Sequence, residues 1–207
     1  MPTIDKDILK FLYTACIGGS EDSFKAAANR AYLDFCWTMT FGEMNDSGKQ
    51  KLRNEAVEIL CERINTLIKM PNITINDFDI WHKDTCTQLQ KQYSNSGITL
   101  TIGQAQKWIN MTIKYLYVVG YNDFKTVLPF LHIPIDNVIF YAAKDKLDIP
   151  KLTESWSKLD SYEKYIDYQN KLRNKIKECE PLRWELRYWI EYARITSKGK
   201  GYKKCQS

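Results

Sequence analysis

Proline and glycine are scarce in this chain, six and nine among 207 residues. Architectures built from many short strands use both at their turns, so an all-β reading has little support. No uninterrupted apolar run is long enough to cross a bilayer, and no stretch reads as a signal peptide. The expectation is therefore a cytoplasmic protein without a membrane partner, its thiols reduced. The six cysteines (Cys16, Cys36, Cys61, Cys86, Cys179 and Cys205) never form a CxxC pair, so neither a zinc knuckle nor an iron–sulfur cluster is expected. There are two histidines, His82 and His132, and no HExxH, so a zinc-protease helix is excluded. The phosphate-cradling patterns GxxxxGK[ST] and GxGxxG are missing, as is the GxSxG elbow of serine hydrolases. No metal and no small-molecule cofactor is expected.

Aromatic residues make up 13% of the chain, enough to argue against disorder over its bulk. Apolar residues recur at spacings of three and four, which is the helical period. The fold class read from this is all-α: one compact multi-helix domain over residues 1–195, followed by a basic disordered tail over 196–207. Two lobes around a cleft fit the same pattern, with the join near Met70–Asn76 or Leu147–Pro150. Helices are expected over Asp5–Ile17, Ser23–Phe41, Lys49–Met70, Asp77–Tyr93, Thr101–Gly120, Asp136–Lys146 and Ser161–Glu178. A short one is expected over Asn122–Leu131, and a last one starts at Pro181, a residue suited to the first helical position. The net charge of +5 is uneven: 14 Lys/Arg against 8 Asp/Glu follow Pro150, while the first 150 residues are close to neutral. A basic C-terminal quarter points to a polyanionic partner, and equally fits a pair of solvated helices.

The most informative stretch is Thr99–Asp136. Its helix opens on a capping box, Thr101 with Gln104, and closes at Gly120. Ile102, Ile109, Ile113 and Leu116 form one apolar stripe, and Trp108, Met111 and Val118 occupy other faces. A helix apolar on most sides is buried on most sides. Lys107 nevertheless sits in its second turn, on the side of Met111, Lys114 and Val118. Such a lysine either lays its stem along the helix and reaches water, or is held in a pocket where it becomes a nucleophile. Asp136 follows in LHIPIDNVIF, placed to cap the next helix.

Two segments resemble the helix-hairpin-helix DNA glycosylases. In that family a Gly-rich hairpin leads into a helix bearing a catalytic lysine, and a later Pro-Val-Asp-Thr-His-Val segment supplies an aspartate. Ile102-Gly103-Gln104-Ala105-Gln106-Lys107 is similar to the first, and His132-Ile133-Pro134-Ile135-Asp136-Asn137-Val138 to the second. The 29-residue gap between lysine and aspartate is closest to that of archaeal 8-oxoguanine glycosylases and divergent bacterial relatives. The resemblance implies removal of a damaged base from double-stranded DNA. Lys107 would attack the sugar and form a Schiff base, and Asp136 would stabilise the oxocarbenium-like sugar. It implies a base pocket of Trp108, Met111, Trp184 and Trp189, with the base flipped out of the stack. Lys171, Arg173, Lys175, Lys177, Arg183 and Arg187 would neutralise phosphates. The alternative is a non-catalytic helical module that binds protein or nucleic acid through its basic C-terminal helices.

Overall fold

The computed structural model describes residues 5–18, 22–120 and 124–201. Among them the chain is all-α, with no strand. The helices are α1 (Lys6–Ile17), α2 (Ser23–Leu33), α3 (Asp46–Ile68), α4 (Ile75–Ser94), α5 (Ile102–Val118), α6 (Asn137–Leu147), α7 (Tyr162–Lys175) and α8 (Pro181–Gly201). Short 3₁₀ turns lie at Cys36–Thr38, Leu128–Phe130 and Trp156–Lys158. Among the described residues no helix is long and apolar enough to cross a membrane.

Helix α5 is the axis. Every residue from Ile102 to Lys114 is buried, because α2, α4, α7 and the Trp156–Lys158 turn pack around it. The Thr101–Gln104 capping box forms as the sequence indicates, with the Thr101 hydroxyl accepting from the Gln104 amide and the Gln104 side chain accepting from that of Thr101. Ala27, Ala28 and Ala31 of α2 have no exposed surface, and their small side chains let α2 lie close against α5. Into that contact goes Trp108, ringed by Tyr32, Phe35 and Tyr93, with its indole N–H donating to the Ala28 carbonyl at 2.9 Å. Truncating a tryptophan so placed costs about 3–5 kcal/mol.

Several boundaries differ from those the sequence suggests. Helix α2 stops at Leu33 instead of Phe41. Phe35 must enter the core and Trp37 must leave it, and a 3₁₀ turn satisfies both. The Gln104 side chain then holds the carbonyl and hydroxyl of Thr38. Helix α4 starts two residues early on a second capping box, Thr74 with Asp77. The expected helix over Asn122–Leu131 is only the turn Leu128–Phe130; residues 121–123 lie outside the described residues. Phe124, Val127, Leu128 and Leu131 all bury there, and Pro129 denies a helix its ladder. Helix α7 ends at Lys175, and α8 is helical as far as Gly201, where a disordered tail is expected from Thr196. The rest of that tail, 202–207, lies outside the described residues.

Candidate active site

The site begins with an extended, buried segment. Leu131, His132, Ile133, Pro134 and Ile135 run between the Leu128–Phe130 turn and α6 without exposed surface to speak of. Buried backbone polar groups need partners, and no strand is near to supply them. Two glutamines do so. The Ile133 N–H donates to Gln169 Oε1 at 3.2 Å, and Gln169 Nε2 donates to the Ile133 carbonyl at 2.7 Å. Gln106 repeats the arrangement at Ile135, accepting at 3.1 Å and donating at 2.9 Å. Pro134, between them, has no N–H to satisfy.

Asp136 is thereby delivered to the start of α6. Its backbone is extended, and its Oδ1 accepts from the Ile139 N–H at 2.9 Å as the N-cap. Its Oδ2 accepts from Lys107 Nζ at 2.6 Å. Lys107 is 4% exposed, so the pair is an ion pair taken largely out of water. Such a pair is costly to bury and contributes little net stability over an apolar substitute.

The pair opens onto a cavity of about 270 Å³. Its walls are Met111 and Tyr115 from α5, Trp189 from α8, and Trp37 and Trp156 from two 3₁₀ turns. Trp37 is 71% exposed and touches Trp156 edge to face. At the rim Asp34 accepts from Arg30 at 2.6 Å and from the Tyr115 hydroxyl at 2.8 Å.

A second buried ion pair lies two helical turns along α5. Lys114 Nζ donates to Glu185 Oε1 at 2.7 Å and sits 4.9 Å from the centre of the Trp189 ring. Glu185 is 1% exposed, and its other oxygen, Oε2, has no partner. Burial pushes its carboxyl above the usual range, against the pull of Lys114; Lys107 and Asp136 are near enough to act on it too. Four charges of alternating sign thus line the interior beside the cavity.

The residues proposed from the sequence separate into groups. Lys107, Asp136, Met111 and Trp189 meet at the cavity. Trp108 does not: it faces α2 in the core, because the lysine and the tryptophan next to it point to different sides of α5. Trp184 is likewise fully buried and packs on Tyr188, on a different side of α8 from Trp189. Arg173 is committed elsewhere, donating from both terminal nitrogens to Asp79 at 2.9 and 2.7 Å. His132 reaches the same carboxylate at 2.9 Å. Burial raises the Asp79 carboxyl, but His132 and Arg173 outweigh it and hold it well below the usual range. Lys171 pairs with Asp167 and Arg183 with Glu180, both at the surface. Lys175 and Arg187 are exposed, and Lys177 lines a separate depression with Phe130 and Arg173.

The amides at the start of α5 are also taken. Ile102 N–H donates to Asp160, Gly103 N–H to the Leu159 carbonyl at 2.7 Å, and Gln104 N–H to Thr101. Gly103 is there for close approach: a Cβ would lie 1.7 Å from the Trp156 carbonyl oxygen. A phosphate therefore finds no open amides at this helix start.

Trp37, Trp156, Tyr115, Glu185 and Gln169 are among the site residues that the sequence did not single out. One signal was available for Glu185, an acid at helical spacing between Leu182 and Trp189 on a face that is otherwise apolar. Among the described residues no group of three or more His, Cys, Asp or Glu is arranged to hold a metal ion. No protein-family model, curated protein or solved structure matches the chain.

Proposed function

We propose that this chain is a DNA glycosylase-like enzyme that removes a damaged base, of the 8-oxoguanine kind, from double-stranded DNA by lysine Schiff-base chemistry. One observation carries the reading: a buried lysine–carboxylate pair, 2.6 Å apart, at the wall of a cavity lined by tryptophans and a methionine. The ion pair itself adds little net stability, although Asp136 also caps α6. Retention of the pair in the interior fits a chemical role.

The steps follow from the positions. The flipped base enters between Met111 and Trp189, apolar surfaces suited to stacking. The glycosidic bond breaks and its electron pair leaves with the base, which takes a proton from the Lys107 ammonium. Asp136, which accepts from the Ile139 amide at the α6 N-terminus, faces the positive charge growing on the sugar. The freed amine then bonds to the sugar carbon. The nitrogen loses a proton, the ring oxygen leaves and is protonated, and a Schiff base remains. Hydrolysis or β-elimination completes turnover.

The test is borohydride trapping on a duplex carrying 8-oxoguanine, with Lys107→Gln as control. A covalent protein–DNA band that the substitution abolishes is the expected result. No band and no base release across a panel of lesions would end the enzyme reading. A second reading would then stand, a non-catalytic module. It is favoured by the exposed Lys175, Lys177 and Arg187, and it entails salt-dependent binding without turnover.

A further inference from the structure

We infer that Gln106 and Gln169 are positioning residues, two side-chain amides that hold the backbone at Ile133 and Ile135 as a partner strand would and thereby set Asp136 against Lys107. The inference rests on the proposed role of that pair, and it adds residues that touch neither substrate nor reacting atoms.

Register is the first argument. Gln106 grips Ile135, and the next residue on each side, Lys107 and Asp136, forms the ion pair; both contacts span the same 29 residues. Any slip of the extended segment along α5 would break both contacts together. Saturation is the second. Gln106 Nε2 donates to the carbonyls of Gly103 and Ile135, and its Oε1 accepts from the Ile135 N–H and from Asn110 Nδ2. Both donors and both lone pairs are used, which fixes the amide in one orientation. The third argument is cross-bracing. Asn110 Nδ2 also reaches the Tyr165 hydroxyl at 2.9 Å, and Gln169 Nε2 reaches the same hydroxyl at 3.2 Å. The two glutamines, from α5 and α7, are thus tied to each other through Asn110 and Tyr165. An apolar residue would fill the same space but leave the Ile135 N–H and carbonyl buried without partners. The segment would then shift to find them.

Reductive methylation with formaldehyde and borohydride, mapped by mass spectrometry, reads the positioning without reference to catalysis. Lys107 is shielded by burial and by Asp136, Lys114 is shielded by Glu185, and Lys51 stands exposed as the reference. In Gln106→Met, Lys107 is expected to label about tenfold faster relative to Lys51, while Lys114 keeps its protection. Single-turnover trapping on the lesion duplex should slow roughly ten- to a hundredfold with duplex affinity unchanged. Unchanged Lys107 protection in a folded Gln106→Met protein would overturn the inference. So would a parallel rise at Lys107 and Lys114, which signals general loosening. Should Gln106→Met not fold, Gln169→Met, which releases Ile133 and one bond to the Tyr165 hydroxyl but leaves Gln106 on Ile135, is judged by the same criteria. If the wild-type chain forms no trapped complex, the enzyme reading fails and the labelling pattern alone decides the positioning.

Discussion

The Lys107–Asp136 pair makes an asymmetric prediction about stability. Removing either charge strands the other, but the two are not stranded equally. Asp136 keeps the Ile139 N–H and the positive end of α6 when Lys107 is lost, and its side chain retains 15% exposure at the cavity. Lys107 loses its one hydrogen-bonded partner when Asp136 is neutralised, and has almost no access to water. Stranding a buried charge costs 3–5 kcal/mol in general, so Asp136→Asn is expected near the lower end, about 3 kcal/mol. Asparagine caps helices as well as aspartate, so the cap itself contributes nothing to that loss. Lys107→Met keeps the apolar stem and leaves a carboxylate with favourable helix-end surroundings, at a cost of about 1 kcal/mol. The double substitution should lie close to Lys107→Met alone, giving a coupling of roughly 3 kcal/mol. Urea unfolding at pH 7, followed by circular dichroism, measures all four proteins. The larger loss corresponds to a fall in Tm on the order of 6–12 °C for a chain of this size. Lys107→Met costing as much as Asp136→Asn would refute the reasoning, since it would mean that α6 does not sustain the carboxylate.

Three further outcomes are expected. Acidification should destabilise the fold from about pH 6.5 downward. Burial lowers His132 to about 4 despite Asp79 and keeps His82 well below its ordinary value, so the unfolded chain takes up protons there before the folded one does. Asp79, held low in the fold, adds a further loss as the pH passes through the ordinary carboxylate range; Glu185, held high by burial, opposes part of it, and the two histidines leave the fold less stable at pH 4 than at about pH 6.5. Gly103→Ala should cost about 3 kcal/mol or prevent folding, because its methyl would overlap the Trp156 carbonyl; thermal denaturation within 1 °C of wild type would contradict this. Trp37→Ala should leave stability within about 0.5 kcal/mol of wild type while lowering base release, since the ring is largely exposed yet lines the cavity.

What the sequence disclosed was local. The Thr101–Gln104 box, the Asp136 cap and the apolar stripe of α5 are all set by residues a few positions apart, and all are seen in the structure. What it concealed was decided across long separations. Phe35 and Trp37 end α2 early because one belongs in the core and the other outside it, which no helical period shows. Arg173 reads as a free cation in a basic helix, yet its partner Asp79 lies 94 residues earlier. Trp108 reads as a neighbour of Lys107, but adjacent residues on a helix point about 100° apart, and the core claimed the indole. Glu185 and Lys114, 71 residues apart, meet only once α8 has folded over α5.

The segment from Leu131 to Ile135 behaves as a strand without a sheet, and that bears on how the fold opens. Helical amides lie within ladders, so breaking one bond strains its neighbours. The Ile133 and Ile135 amides belong to no ladder; each depends on one side chain. Their release breaks four side-chain hydrogen bonds and would expose Leu131, Ile133 and Ile135, all fully buried, so this segment opens together with the core and not before it. The carboxylate at the end of it is therefore carried by backbone that side chains of α5 and α7 hold in place, and its hydrogen exchange should follow that of those helices.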